Sequence, residues 1–250
     1  MSPAPSDRHG ADAHGADRRR TGPHGTDEHH LNARSTDERP VNARGTDEPD
    51  AAEHRAELAR TREFFATRAA GWDARFPDDG PRYAAAVAEL GLHAGDAVLD
   101  AGCGTGRALP LLRAAVGPAG RVLGADLTPE MLHEAARHHT AEATLLLADC
   151  ARLPLPAATL DAVFAAGLIS HLPAPAGALR ELARVTRPGG ALALFHPVGR
   201  AVLAARHGRA LTPDDLRAEP NLRPLLAAAG WQLGSYTDTD DRFLALATRS

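Results

Sequence analysis

The chain lacks lysine entirely, and all 28 of its basic residues are arginines. Together with abundant alanine, glycine and proline, this absence indicates the codon bias of a GC-rich genome rather than a selected chemistry. Only two cysteines are present, Cys103 and Cys150, and they show neither a disulfide framework nor a metal-ligand spacing. We therefore expect a reduced compartment and no metal site.

Long apolar runs are also absent, since none approaches the roughly 18 residues that a membrane helix needs. The N-terminus is polar from Ser2 onward, so no secretory signal is visible and a cytoplasmic protein is expected. The net charge of −4 lies wholly in residues 1–54, which hold seven arginines against eleven acids. Because the remainder is neutral, we expect a small-molecule partner rather than nucleic acid or a membrane. The oligomeric state is left open.

Residues 1–54 form a low-complexity segment in which near-copies of His-Gly-Ala-Asp and Asn-Ala-Arg recur. Such a composition buries too little apolar surface to offset the entropy lost on ordering. We therefore expect a disordered tail over residues 1–54 and one domain over residues 55–250. Within that domain we expect a helical cap over residues 55–92 and a loosely helical, substrate-side insert over residues 198–220.

From residue 97 onward, strand patterns alternate with helix patterns, which predicts a mostly parallel sheet covered on both faces. The last two strand patterns are separated by only five residues, 237–241, too few for a crossover helix, so they should pair as an antiparallel hairpin. The predicted fold is therefore α/β, a doubly wound, seven-stranded, mostly parallel sheet with a C-terminal antiparallel hairpin. The strands are expected at residues 97–100, 121–125, 143–148, 160–165, 191–196, 231–236 and 242–248.

Local signals predict where several helices begin and end. A helix should follow the first strand from about Gly106 to Val116. Thr128 is a candidate cap for the next helix, which has Pro129 in its first turn. A later helix over about 176–186 should stop at the Arg-Pro-Gly-Gly sequence of residues 187–190.

The first strand ends in Asp100, and glycines follow at positions 102, 104 and 106. Glycine lets the backbone turn sharply and lets a ligand lie against the main chain, and a following helix directs N–H groups at that ligand. The dinucleotide fingerprint is G-x-G-x-x-G, whereas the spacing here is G-x-G-x-G, with an acid two residues before the first glycine. A strand-to-helix turn without a ligand is the alternative.

This loop resembles that of the class I S-adenosylmethionine-dependent methyltransferases, in particular the small-molecule type with a methyltransferase domain 11, and the resemblance covers about residues 72–250. It implies S-adenosylmethionine as cofactor, whose ammonium, ribose diol and adenine amine are donors that suit carboxylate acceptors. By resemblance, Asp100 and the loop glycines hold the aminoacyl end, Asp126 accepts the ribose hydroxyls, and Asp149 accepts the adenine amine. The other cofactor-binding residues implied are Trp72, Gly102, Cys103, Gly104, Gly106, Leu127, Cys150 and Ala165.

Each of these assignments has a structural alternative. Asp126 before Leu-Thr-Pro is also suited to supporting the turn into a helix, and Asp149 to capping the loop that follows it. Trp72 is equally suited to packing within the cap. The resemblance places a histidine after the fourth strand, and His171 occupies that position.

The acceptor side carries no motif. A base is needed only if the acceptor must lose a proton, and His171 and His196 are the candidates because their unperturbed pKa suits the task. Both are also suited to structural hydrogen bonding. The insert carries cations that either face solvent or clamp an acidic group of the substrate: Arg200, Arg206, His207 and Arg209.

The sequence thus predicts methyl transfer from S-adenosylmethionine to a small molecule. The fourth strand ends without the Asn-Pro-Pro-Tyr of enzymes that methylate amino groups of DNA bases or protein amides, which argues against those substrates. Two alternatives stay open, an NAD(P)-dependent oxidoreductase and a non-catalytic, S-adenosylmethionine-binding regulatory protein of the same fold.

Overall fold

The computed structural model describes residues 51–250, so the predicted disorder of residues 1–50 lies outside the described residues. The cap begins with helix α1 (Ala51–Ala66) and ends with helix α2 (Gly80–Glu89). Three single turns of 3₁₀ helix join them, at Ala69–Gly71, Asp73–Arg75 and Pro77–Asp79.

The seven predicted strands form one sheet with the order β3-β2-β1-β4-β5-β7-β6. The strands are β1 (Ala97–Ala101), β2 (Arg121–Asp126), β3 (Thr144–Leu147), β4 (Leu160–Ala166), β5 (Thr186–His196), β6 (Trp231–Thr239) and β7 (Arg242–Arg249). Strands β1 to β5 are parallel, and β7 runs antiparallel to both β5 and β6. The predicted sheet and its C-terminal hairpin are confirmed.

Helices cover both faces of this sheet. They are α3 (Leu109–Val116), α4 (Pro129–His139), α5 (Pro175–Val185), α6 (Arg200–Arg206) and α7 (Glu219–Ala228). One apolar cluster joins α5 and α7 to one face, and a second joins α2 and α3 to the other. All five residues of β1 are consequently buried, as expected for a central parallel strand.

Two predicted boundaries were wrong for reasons of backbone geometry. Helix α3 begins at Leu109 rather than at Gly106, because Gly106 has a φ of +90°, which no α-helix accommodates. Strand β5 begins at Thr186, and residues 187–190 form an irregularity within the strand rather than a stop before it. A Cβ atom at Gly190 would lie 2.5 Å from Thr186 Cγ2, so only glycine fits at this position of the strand.

Two smaller differences concern caps and links. Thr128 precedes α4 in an extended conformation but makes no side-chain cap bond, and its N–H donates to Asp126 instead. The predicted five-residue link of the hairpin shrinks to residues 240–241, because β6 continues to Thr239.

Candidate functional site

Asp100 lies at the carboxyl end of β1 with only 2% of its surface exposed. Its Oδ1 atom has no hydrogen-bond partner among residues 51–250. Burial raises the pKa of Asp100 to about 8, and the neighbouring Asp126 carboxylate adds to the shift. A buried acceptor without a partner costs folding free energy. The Oδ1 atom is therefore suited to accept a hydrogen bond from a ligand.

The glycine loop is held against β2 by its own backbone. The N–H groups of Gly102 and Cys103 both donate to the Ala125 carbonyl, at 2.8 and 3.0 Å. All three loop glycines have positive φ. A Cβ at Gly106 would lie 2.6 Å from His139 Cδ2, whereas a Cβ at Gly104 would meet nothing closer than a sulfur atom at 4.0 Å. Gly106 is therefore required by packing, and Gly104 leaves its backbone open to a close ligand.

Asp126 supports this loop and the turn that follows β2. Its Oδ2 accepts the Gly104 N–H at 2.9 Å, and its Oδ1 accepts the Thr128 N–H at 2.8 Å. Burial raises the pKa of Asp126, and these backbone hydrogen bonds oppose the rise. The structural alternative for Asp126 is thus realised, and its contact with a ribose diol stays a prediction. Leu127 beside it is half-buried.

Asp149 also makes a local turn, two residues beyond the end of β3. Its Oδ1 accepts the Ala151 N–H at 2.8 Å, which is the predicted structural alternative. Its Oδ2 lies 3.8 Å from Nε2 of His54, a residue of α1 that the sequence did not single out. Cys150 is buried next to it, and burial raises the pKa of its thiol to about 12. The cap therefore reaches the position expected for adenine.

Two loop side chains hold the cap in place. Thr105 Oγ1 donates to Asp73 Oδ1 at 2.7 Å, and the Arg107 guanidinium lies 3.3 Å from Asp79 Oδ2. Arg107 also donates to the Phe76 carbonyl. These partners are 28 to 32 residues apart in the chain, so no local sequence pattern predicts the contacts. The roles of Thr105, Arg107 and Asp79 were therefore not predicted.

Aromatic rings of the cap form a layer next to the β4 end. Trp72 packs against Phe65 and Phe76, with ring centroids 5.5 and 5.4 Å apart. Phe65 in turn packs edge-on against His171 at 5.0 Å. Trp72 thus does the packing that its structural alternative describes, and its cofactor contact stays a prediction.

The two candidate bases are both neutral at pH 7. His196 ends β5, and its Nδ1 faces the backbone of Val198, 3.0 Å from O and 3.2 Å from N, which leaves Nε2 unengaged by that contact. Burial lowers the pKa of His196 to about 4, although the hydrogen bond to the Val198 backbone acts to raise it. Desolvation, with Arg217 and His207, also lowers the pKa of His171, although this residue is exposed.

A small pocket opens where β4 and β5 end. Its lining includes Ala165, Gly167, Leu194, His196, Arg217 and Phe243. Ala165 and His196 were predicted for this region, whereas Arg217 was not. It comes from the loop before α7, where nothing in the local sequence distinguishes it from the other arginines of the chain.

Neither alternative for the cations of the insert describes Arg200. Its Nε lies 2.9 Å from Asp238 Oδ2, and its NH1 lies 3.2 Å from Asp215 Oδ2, so the side chain is already paired. Arg206, His207 and Arg209 are exposed on and after α6, as expected for a solvated face.

Two further features are absent from residues 51–250. No helix in this part of the chain is both long and apolar enough to cross a membrane. Residues 51–250 contain no group of three or more His, Cys, Asp or Glu side chains arranged to hold a metal ion.

Comparisons with known proteins agree with this geometry. A family model described as a methyltransferase domain matches residues 99–194. The malonyl-[acyl-carrier protein] O-methyltransferase of Serratia marcescens is 44% identical over 103 residues, which are 40% of this chain and 38% of the relative. The trans-aconitate 2-methyltransferase of Methylobacterium nodulans is 40% identical over 133 residues, 51% of this chain and 50% of the relative. The chain thus spans half or less of the length of these curated relatives.

A crystal structure of a SAM-dependent methyltransferase from Aquifex aeolicus superposes with a TM-score of 0.57 at 28% identity, covering 66% of this chain and 87% of that one. The sheet order with its antiparallel β7, the glycine loop after an acid-ended β1 and the family match all agree. Residues 99–194 therefore match a methyltransferase domain, and the described residues have the fold of the class I S-adenosylmethionine-dependent methyltransferases.

Proposed function

We propose that this protein transfers a methyl group from S-adenosylmethionine to a small-molecule acceptor. The observation that carries the proposal is the unpartnered, buried Oδ1 of Asp100 beside the open backbone of Gly104. The ammonium group of the cofactor's aminoacyl end is a charged donor of the kind this oxygen lacks. The residues present therefore fit the cofactor.

The remaining cofactor assignments follow from position. Asp126 would accept the ribose hydroxyls while keeping its bonds to Gly104 and Thr128. Asp149 would accept the adenine amine, with Leu127 against the adenine face and the Cys150 backbone beside it. Ala165 and the aromatic layer around Trp72 would border the methionine portion. Cys103 contributes only through the loop backbone, because its side chain is buried.

The bound cofactor supplies a methyl group already activated on a sulfonium, so the chain's task is to position an acceptor and exclude water. Where the acceptor is a hydroxyl, His196 or His171 takes up its proton. Both imidazoles are neutral at pH 7 and able to accept a proton. We favour His196, because it lines the pocket at the β4 and β5 ends while its Nδ1 is fixed by Val198.

A small-molecule acceptor is supported by the names of the two relatives, which methylate a malonyl carrier-protein conjugate and trans-aconitate. It is also supported by the neutral charge of residues 55–250. Fold alone does not establish an activity, so the proposal depends on the site and needs a direct assay.

The assay has two stages. Calorimetry first measures binding of S-adenosylmethionine and S-adenosylhomocysteine to the full chain. The protein is then incubated with methyl-labelled S-adenosylmethionine and a metabolite extract, and mass spectrometry identifies what gains the label. Labelled product is expected. Absence of cofactor binding would refute the proposal, tight NADH binding in its place would favour an oxidoreductase, and binding without any labelled product would favour a regulatory protein.

A further inference from the structure

Arg217 is a cation built into the wall of the acceptor pocket. Its side chain is only 15% exposed, and it lines the pocket together with His196 and Phe243. Its backbone is fixed on both sides, because its N–H donates to Asp215 Oδ1 at 2.8 Å and its carbonyl accepts from Tyr236 Oη at 2.9 Å. The backbone from which this guanidinium extends is therefore held in place by the fold.

The pairing of Arg217 is incomplete. Its Nε lies 3.4 Å from Asp215 Oδ1, while the same carboxylate is shared with Arg200. The terminal nitrogens of Arg217 make no hydrogen bond or ion pair with any residue from 51 to 250 that the structure records. A guanidinium carries five N–H donors in a planar fork, so most of its donor capacity is left for a molecule in the pocket.

The surroundings favour an anion at that point. Apolar groups of Ala165, Leu194 and Phe243 form part of the lining, and a low dielectric strengthens charge-assisted bonds. Burial, with a smaller contribution from the positive charge of Arg217, lowers the pKa of both His171 and His196, so both imidazoles stay neutral beside it at pH 7. The Asp79 carboxylate acts in the opposite direction on His196 but is itself paired with Arg82 and Arg107.

We propose that Arg217 binds a carboxylate of the methyl acceptor, which makes the acceptor a small organic acid. This inference rests on the proposed function for its biological meaning. The planar fork suits a carboxylate, which accepts two parallel hydrogen bonds from it.

The direct test compares probes of equal size that differ in charge. Benzoate and benzamide, and then butyrate and butyramide, are titrated by calorimetry into the chain loaded with S-adenosylhomocysteine. We expect each acid to bind at least about 10-fold more tightly than its amide, as a charged hydrogen bond at a half-buried site provides. Equal affinities for acid and amide, or binding of neither up to the solubility limit, would overturn the proposal.

Three variants locate the effect. Arg217→Met should abolish the preference for the acid, Arg217→Lys should retain part of it, and Arg206→Gln, which alters an exposed arginine on α6, should leave it unchanged. Thermal melting and S-adenosylhomocysteine binding check that each variant is folded. A preference that survives in Arg217→Met would assign the anion to another residue and refute the proposal.

The same design separates this inference from the proposed function. If S-adenosylhomocysteine fails to bind, the proposed function fails, and the titrations on the unloaded chain still decide whether Arg217 prefers an acid. If S-adenosylhomocysteine binds and no acid is preferred, only the inference about Arg217 fails. With an identified acceptor, Arg217→Met should raise KM about 10- to 100-fold and change kcat far less.

Discussion

The cofactor side and the acceptor side of the cleft are built in different ways. On the cofactor side, Asp100, Gly104 and Asp126 sit within a few residues of strand ends, and backbone hydrogen bonds hold them. On the acceptor side, the lining comes from the ends of β4 and β5, the start of β7 and the loop before α7, and ion pairs and side-chain packing hold it. The sheet therefore determines the first site, whereas long-range side-chain contacts determine the second.

The two sides also differ in charge. Two buried acidic side chains, Asp100 and Asp126, lie at the carboxyl ends of β1 and β2, and burial raises the pKa of both. Across the cleft, Arg217 stands beside two histidines that are neutral at pH 7. Acidic groups on one side and a cation on the other would favour a cationic cofactor and an anionic acceptor respectively.

The largest effect is expected from Asp126→Ala, because this carboxylate serves both the ligand and the loop. The change should weaken S-adenosylmethionine binding about 100- to 1000-fold, since hydrogen bonds to a charged group contribute about 1.5–3 kcal/mol each. Calorimetry measures the loss, with Asp241→Ala as control because the Asp241 side chain is 87% exposed. Equal affinities of the two variants for S-adenosylmethionine would show that Asp126 does not contact the cofactor.

His196→Gln tests whether the acceptor side takes part in the chemistry. If His196 removes a proton from the acceptor, the variant should lose about 100-fold in kcat, the lower range for general-base catalysis, while cofactor affinity is unchanged. Activity of the wild type should fall as the pH drops towards 4, because the pKa of His196 is lowered to about 4 and protonation below it abolishes the base. Single-turnover rates that do not differ from those of the wild type would assign His196 a structural role.

Asp100 links cofactor affinity to pH. Its pKa of about 8 means that the free site holds a proton at pH 7, and a cationic ligand must displace it. Affinity should therefore rise with pH from 6 to 7.5, by up to about 10-fold per unit, in a range where the ligand's own amine remains charged. Asp100→Asn should bind more weakly and show no such slope, and an equally steep slope in the variant would contradict the assignment.

The same shift predicts a cost in stability. Because the pKa of Asp100 is raised from 3.8 to about 8, its contribution is most favourable below pH 3.8 and is lost progressively as the pH rises to 8. Relative to the wild type, cofactor-free Asp100→Asn should gain up to about 1.4 kcal/mol of unfolding free energy per pH unit over that interval. Urea unfolding at pH 5.5 and 7.5 measures the difference, and a pH-independent difference would argue against a protonated Asp100.

The comparison of the two sides also explains what sequence reasoning achieved. Apolar runs such as residues 97–101 mark buried parallel strands because both of their faces are covered, so the sheet and the cofactor-side acids were predictable. The pairing of Arg200 was not predicted because its partners, Asp215 and Asp238, lie 15 and 38 residues away in the chain. Arg217 was missed for a different reason, since only the folded chain shows that it lines a pocket at the ends of β4 and β5.

The smallest effect is expected where the two sides meet, at the bond between Thr105 of the glycine loop and Asp73 of the cap. Thr105→Val keeps the volume but removes the donor, so unfolding free energy should fall by about 1 kcal/mol. Cofactor affinity should fall less than about 10-fold, because the loop backbone stays bonded to β2. Thr67→Val is the matched control, since the Thr67 hydroxyl bonds only within the end of α1 and to Arg68. If Thr105→Val were as damaging as Asp126→Ala, the cap would be part of the cofactor site itself, and the division between a sheet-determined side and a contact-determined side would not hold.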